Sequence, residues 1–206
     1  MNNAVWPWPA ASARFLASVH SLSEQPDSRR REIAILGRSN SGKSSLLNAL
    51  VGVRGLAKTS KTPGRTRALN FFALSEKFAL VDLPGYGYAK LPQAEARVLS
   101  QLLYDYLRTG RNLAGAVMVV DARRAPQAEE IELARLIRER NLELILAINK
   151  CDKLARHERS CALKRHAVLA ARSVLCSALK GQGIDELRRE LGRLLRVGQE
   201  NLKNNR

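Results

Sequence analysis

Gly37-Arg38-Ser39-Asn40-Ser41-Gly42-Lys43-Ser44 is the stretch from which the rest of the chain is read. It has the form G-x-x-x-x-G-K-[ST]. It lies between an apolar run at 32–36 and a segment of helical spacing at 43–51, the strand-to-helix setting in which such a loop holds phosphate. Its glycines let the backbone close round an anion, and the N–H groups of the loop and of the next helical turn, through Ser45, point at it. Lys43 reads as the group that neutralises the β- and γ-phosphates, and the Ser44 hydroxyl as a ligand for Mg²⁺.

Outward from this loop, short apolar runs alternate with helix-length segments. Strands are predicted at 32–36, 68–74, 78–81, 114–120, 143–148 and 174–176, and helices at 43–51, 93–108, 127–140, 158–171 and 184–195. Ile131, Leu133, Ala134 and Ile137 are expected to point inward from the third helix. The turn Ser75-Glu76-Lys77 makes a hairpin of the second and third strands. The pattern implies an α/β fold of three layers: a mostly parallel six-stranded sheet with one antiparallel edge strand and helices on both faces. Ligands of such a sheet sit beyond the carboxyl ends of its strands. Residues 1–30 read as an extension in which 11–22 form a short amphipathic helix, 31–197 as one nucleotide-binding domain, and 198–206 as a polar, frayed tail.

A phosphate loop does not separate ATP from GTP, but Asn149-Lys150-Cys151-Asp152, at the end of a predicted strand, does. The Asp152 carboxylate is suited to accept the N1–H and N2–H₂ of guanine, a donor pair that adenine lacks, and a site built for those donors rejects a base without them. Asn149 is expected to tie this loop to the phosphate loop, and the Lys150 stem to lie over the ring. Ser177-Ala178-Leu179-Lys180, after the next short strand, would complete the base pocket through backbone N–H groups, with Cys176, Ser177 and Ala178 counted among the nucleotide-binding residues. Asp82-Leu83-Pro84-Gly85 follows another strand, so that Asp82 can hold Mg²⁺ through water and the Gly85 N–H can swing onto the γ-phosphate. Gly64-Arg65-Thr66 ends a basic loop from which Thr66 reaches the metal only when γ-phosphate is present. Lys43, Thr66 and Gly85 are thus the expected catalytic groups. Two segments ordered by GTP and released on hydrolysis make a switch.

The chain has 206 residues, of which 35 are Lys or Arg and 19 Asp or Glu, a net charge of +16. With 45% apolar and 26% charged residues it has the composition of a globule rather than of a disordered chain. Such positive charge points to an anionic partner, and nucleic acid is the commonest. Aromatics make up only 5%, so stacking platforms for single-stranded bases are not evident. Cys151, Cys161 and Cys176 show no metal or disulfide spacing and read as free thiols in a reducing cytosol. No leader pattern stands at residues 1–9, and no apolar run approaches the ~20 residues of a membrane span, so a cytoplasmic location is expected. His20, His157 and His166 lack ligand spacing and are expected to be exposed. Arg54, Lys58, Lys61, Arg65 and Arg67 charge the first switch loop without an acid, and 153–172 carries six basic residues against Glu158.

With the four motifs in order, the chain resembles the EngB (YihA/YsxC) GTPases, within the TrmE–Era–EngA–EngB–septin-like group of TRAFAC P-loop GTPases. The words that carry the resemblance are Gly37-Arg38-Ser39-Asn40, Lys61-Thr62-Pro63-Gly64-Arg65-Thr66 with Asn70-Phe71-Phe72, and Val81-Asp82-Leu83-Pro84-Gly85-Tyr86-Gly87-Tyr88-Ala89. The resemblance covers about residues 30–196. It implies Mg²⁺-dependent GTP hydrolysis and a role in assembling the large ribosomal subunit, with pre-ribosomal RNA as partner, in a protein expected to be monomeric in isolation. It implies also that Asn40 helps hold K⁺. Ras-like enzymes place a water-orienting Gln where this chain has Tyr86, so slow intrinsic hydrolysis is expected. The competing readings are a division- or septation-associated GTPase with a protein partner, and a nucleotide-sensing RNA-binding module with negligible turnover.

Overall fold

The computed structural model describes residues 13–27, 29–57, 67–87 and 91–203, with side chains to residue 195. In chain order the elements are β1 (Arg14–Val19), β2 (Arg31–Gly37), α1 (Lys43–Val51), β3 (Leu69–Ala73), β4 (Phe78–Asp82), α2 (Gln93–Thr109), β5 (Leu113–Asp121), α3 (Ala128–Glu139), β6 (Glu143–Asn149), α4 (Glu158–His166), β7 (Arg172–Leu175) and α5 (Ile184–Lys203). The strands form one sheet in the order β1-β3-β4-β2-β5-β6-β7. Pairing is parallel from β4 to β7 and antiparallel at β1–β3 and β3–β4, so β3 alone runs against the rest.

The central strands are apolar on both faces because helices cover both. Along β2, Ala34 and Leu36 pack with Leu103, Leu107 and Leu133 of α2 and α3, while Ile33 and Ile35 pack with Leu46, Leu50 and Leu191 of α1 and α5. Strand β5 repeats the division, Met118 and Val120 to one side and Val117 and Val119 to the other. This is the period-2 pattern of a strand between two layers.

Three expectations are corrected here. The sheet has a seventh strand, β1, where a helix over 11–22 was expected. Residues 11 and 12 lie outside the described residues, and Arg14–Val19 pair with β3 in register Arg14↔Ala73 to Val19↔Leu69. Antiparallel β3 therefore lies inside the edge. Its free backbone groups would otherwise face solvent, and pairing outweighs the weak helical spacing. The Phe15 ring meets Phe72 edge-on at 5.8 Å. The last helix continues to Lys203, through much of the tail expected to fray. Ile131 is 43% exposed, not inward, because Glu130 takes the inward place and its Oε2 accepts the Gln127 N–H at 2.8 Å, closing the first turn of α3.

A polar pair lies beneath α2, in the core. The Tyr106 hydroxyl donates to Glu32 Oε2 at 2.8 Å, both groups being buried. Burial raises the Glu32 carboxyl above its ordinary 4.5, against the hydrogen bonds from Tyr106 and Asn112. A raised folded-state pKa means that the parent loses stability as pH climbs from that ordinary value through the folded-state value. Glu32→Gln should therefore melt higher than the parent at pH 8, with the gap closing toward pH 4. Equal melting temperatures across that range would contradict the buried-charge account.

Candidate functional site

The chain leaves β2 at Gly37 and re-enters regular structure at Lys43, beside the carboxyl ends of β5 and β6. Gly37 admits no side chain: a Cβ there would lie 2.5 Å from the Val119 carbonyl oxygen. Gly42, at φ +96°, caps α1 in the left-handed region, and a Cβ on it would lie 2.3 Å from Asn149 Nδ2. Asn40 is left-handed too, at φ 66°. The first turn of α1 has neither a side-chain cap nor an acidic residue, so its N–H groups remain open to an anion.

Two loops, those after β6 and β7, converge on this one. Asn149, 2% exposed, donates from Nδ2 to the Ser41 carbonyl at 3.0 Å and accepts the Ala178 N–H on Oδ1 at 3.0 Å. The Cys151 N–H donates to the Cys176 carbonyl at 3.0 Å, and the Cys176 N–H to that of Ile148 at 2.9 Å. Lys150, with φ 66°, reaches back to donate to the Asn40 carbonyl at 2.6 Å. Asp152 Oδ1 accepts the Ser177 hydroxyl at 2.6 Å, and that bond holds its carboxyl below the usual range. Residues separated in sequence by more than a hundred positions are thus fastened into one cleft. Burial pushes the Cys176 thiol up to about 12 and raises that of Cys151, so both stay protonated at neutral pH.

Beneath the loop, Lys43 Nζ donates to Asp82 Oδ1, and both side chains are buried. Burial raises the Asp82 carboxyl, with Lys43 working against it. The Leu83 N–H donates to the Ile35 carbonyl at 3.0 Å, continuing the β4–β2 pairing one residue past Asp82. The Tyr86 carbonyl then accepts the Ser39 N–H at 2.9 Å, and its ring is 1% exposed beside the start of α3. Burial, with Glu130 and Glu129 nearby, pushes the Tyr86 hydroxyl well above its ordinary range. Ser44 and Asp82 supply the hard oxygen donors that Mg²⁺ takes, and Asp82 already neutralises a cation here. Gly64, Arg65 and Thr66 lie outside the described residues.

Two residues of the cleft escape motif reading. Asp121, the last residue of β5, accepts Lys150 Nζ on Oδ2 at 2.9 Å. Arg123 grips the same carboxylate, Nε to Oδ1 at 2.9 Å and Nη2 to Oδ2 at 2.6 Å. Burial disfavours this charge, but the bonds from Arg123 and Lys150 outweigh it and hold the carboxyl well below its ordinary range. The available signal was position: a charged residue ending an apolar strand at the carboxyl edge of an open sheet. His166 corrects another expectation. It is 1% exposed, with Nδ1 2.8 Å from the Ala162 carbonyl oxygen, and it lines a cavity of about 200 Å³ beside Arg38, Asn40 and Asp121.

Comparison with known proteins agrees with this geometry. The chain matches the family described as 50S ribosome-binding GTPase over residues 32–150. It is 42% identical over 192 residues to the EngB GTP-binding protein of Nitrosococcus oceani, covering 90% of this chain and 96% of that one. The EngB protein of Salmonella paratyphi B is 39% identical, over 86% of this chain and 87% of its own. A crystal structure of an EngB GTP-binding protein superposes with a TM-score of 0.67 at 25% identity, covering 80% of this chain and 98% of that one. Aquifex aeolicus Era shares the fold, with a TM-score of 0.66 at 24% identity over 79% of this chain and 56% of that one. With its three-layer P-loop fold and these relatives, the chain belongs to the EngB family of GTP-binding proteins.

Proposed function

We propose that this protein binds GTP and GDP with Mg²⁺ in the cleft between the phosphate loop and Asp152, hydrolyses GTP slowly, and uses the difference to engage a precursor of the large ribosomal subunit through its RNA. The observation that carries the nucleotide reading is the Asn149 bridge, which sets the Ser177-held Asp152 carboxylate at a fixed place relative to the phosphate loop. The ribosomal part rests on the family's description as 50S ribosome-binding and on the +16 charge. The cytoplasm, where such particles assemble, is the location that follows.

In this reading Lys43 leaves Asp82 for the β- and γ-phosphate oxygens. Ser44, Thr66 and Asp82, the last through water, would hold Mg²⁺, which when bound neutralises phosphate charge. The Gly85 N–H moves onto the γ-phosphate. Asn40 is the residue that would help hold K⁺. Tyr86 offers no substitute for a water-orienting amide, since its hydroxyl is buried and stays protonated at any physiological pH. A partner or a second cation then supplies the missing acceleration.

Asp152→Asn should lower GDP affinity roughly a hundredfold while improving that for xanthosine diphosphate, because the amide offers a donor where the carboxylate only accepts. Unchanged affinity for GDP in calorimetry would place the base elsewhere. Asp121→Asn should free the Lys150 ammonium and weaken GDP binding about tenfold, with turnover at saturating GTP little changed. A fall in turnover without loss of affinity would contradict the base-side assignment of this clamp. In sucrose gradients, the protein with a non-hydrolysable GTP analogue should sediment with large-subunit precursors more than with GDP, and equal association would break the switch.

A further inference from the structure

At the β7 side of the sheet, the segment 153–172, with α4 at its centre, carries Lys153, Arg156, Arg159, Lys164, Arg165 and Arg172 against one acid, Glu158. That acid is turned to the backbone, its Oε2 accepting the Ala155 N–H at 2.7 Å. Lys153 stands 3.8 Å from Asp152, and Arg172 pairs with Glu190 at 3.1 Å. Among the described residues, Arg156, Lys164 and Arg165 are exposed and have no carboxylate partner. Arg165 donates from Nη1 to the Arg123 carbonyl at 3.3 Å, which brings the end of α4 against Arg123 and Arg124 of the β5–α3 loop. The result is one basic ridge assembled from two distant segments. The neighbouring helices are different: α2 carries two Arg and two acids, and α3 two Arg and four acids.

We propose that this ridge is a docking surface for the phosphate backbone of double-helical RNA. Like charges gathered in one region repel each other, and a polyanion relieves that repulsion while releasing its own counterions. Most of the ridge is arginine, whose planar fork suits phosphate oxygens. No Phe, Tyr or Trp occurs after Tyr106, so the small imidazole of exposed His157 is the one accessible ring that 153–172 offers an unpaired base. Helix α4 lies against β6 and β7 and does not project as a groove-entering element would. Within 153–172 Val168 is exposed, at 57%, and beyond it Leu179, too little for a membrane-inserting face. The choice of RNA over DNA rests on the proposed function. The location does not: the basic loop 54–67 leads into β3, five strand positions from β7. Docking through Arg156 and Lys164, which touch no group of the cleft, is therefore independent of which nucleotide is bound, unlike docking through that loop.

The test uses the full chain, Arg156→Gln/Lys164→Gln and Arg156→Glu/Lys164→Glu, with a short RNA duplex followed by fluorescence anisotropy over a series of KCl concentrations. Both positions are exposed and outside the nucleotide cleft, so melting temperature and GDP affinity should stay at the parent's values. The Gln pair should reduce the slope of log affinity against log salt by about 2 and weaken binding about tenfold or more at low salt. The Glu pair should weaken it further, and each loss should be the same with GDP and with a GTP analogue. Parent-like RNA binding by both variants overturns the ridge. So does a loss confined to one nucleotide state, or tighter binding by the parent of single-stranded RNA, a DNA duplex or anionic lipid vesicles. If RNA binding requires the GTP analogue and ignores the ridge substitutions, the proposed function stands and the ridge falls. If the parent ignores guanine nucleotides yet loses RNA with the ridge, the ridge stands and the proposed function falls.

Discussion

The buried side-chain amide of Asn149 is the constraint on which the cleft depends. One end holds the Ser41 carbonyl and the other the Ala178 N–H, each at 3.0 Å. Without it, both backbone groups lose their shown partners inside the protein, at about 1–3 kcal/mol each. The loss would also be geometric. The phosphate loop hangs from β2 and the serine-alanine turn from β7, with β5 and β6 between them in the sheet. The amide couples the two directly. Gly42 follows from the same bond, since the amide occupies the space a Cβ would need.

Around this bridge the charges are arranged in pairs. Lys43 rests on Asp82, and Lys150 on Asp121. Each ammonium is held near the loop by a carboxylate, so Lys43 needs little reorganisation when an anionic ligand competes for it. The uncapped start of α1 adds open N–H groups with no acid to repel the ligand. The two halves differ in rigidity of design. Lys150 is fixed by a carbonyl and by a carboxylate that Arg123 also grips, whereas Lys43 has, among the described residues, the one buried partner that the proposed mechanism asks it to give up. Tyr86 ties the Asp82–Gly85 segment back to the phosphate loop through Ser39, joining both sides of that exchange.

What could be read from the sequence was what chemistry dictates residue by residue. A loop that wraps an anion needs glycine at Gly37 and Gly42, and the wall against Val119 and Asn149 shows why. The Asn149–Asp152 word and the Ser177-Ala178 turn were legible for the same reason, and they do meet. The alternating layers were legible because strands such as Ile33–Leu36 face two cores at once. The misread parts depend on partners far along the chain. Strand β1 exists because β3 has an edge to cover, which local spacing over 11–22 cannot reveal. Ile131 and Glu130 exchanged places because a carboxylate closing a helix turn outweighed apolar spacing. Asp121 belongs to no motif, and its role appears only when Lys150 and Arg123 converge on it.

The most direct measurement is isothermal calorimetry of the purified protein with GDP and with ADP at equal Mg²⁺. A carboxylate fixed by Ser177 beside a phosphate loop fixed by Asn149 predicts saturable one-to-one binding of GDP and affinity for ADP about a thousandfold or more weaker. Comparable affinities for the two, or no binding of GDP, would contradict it.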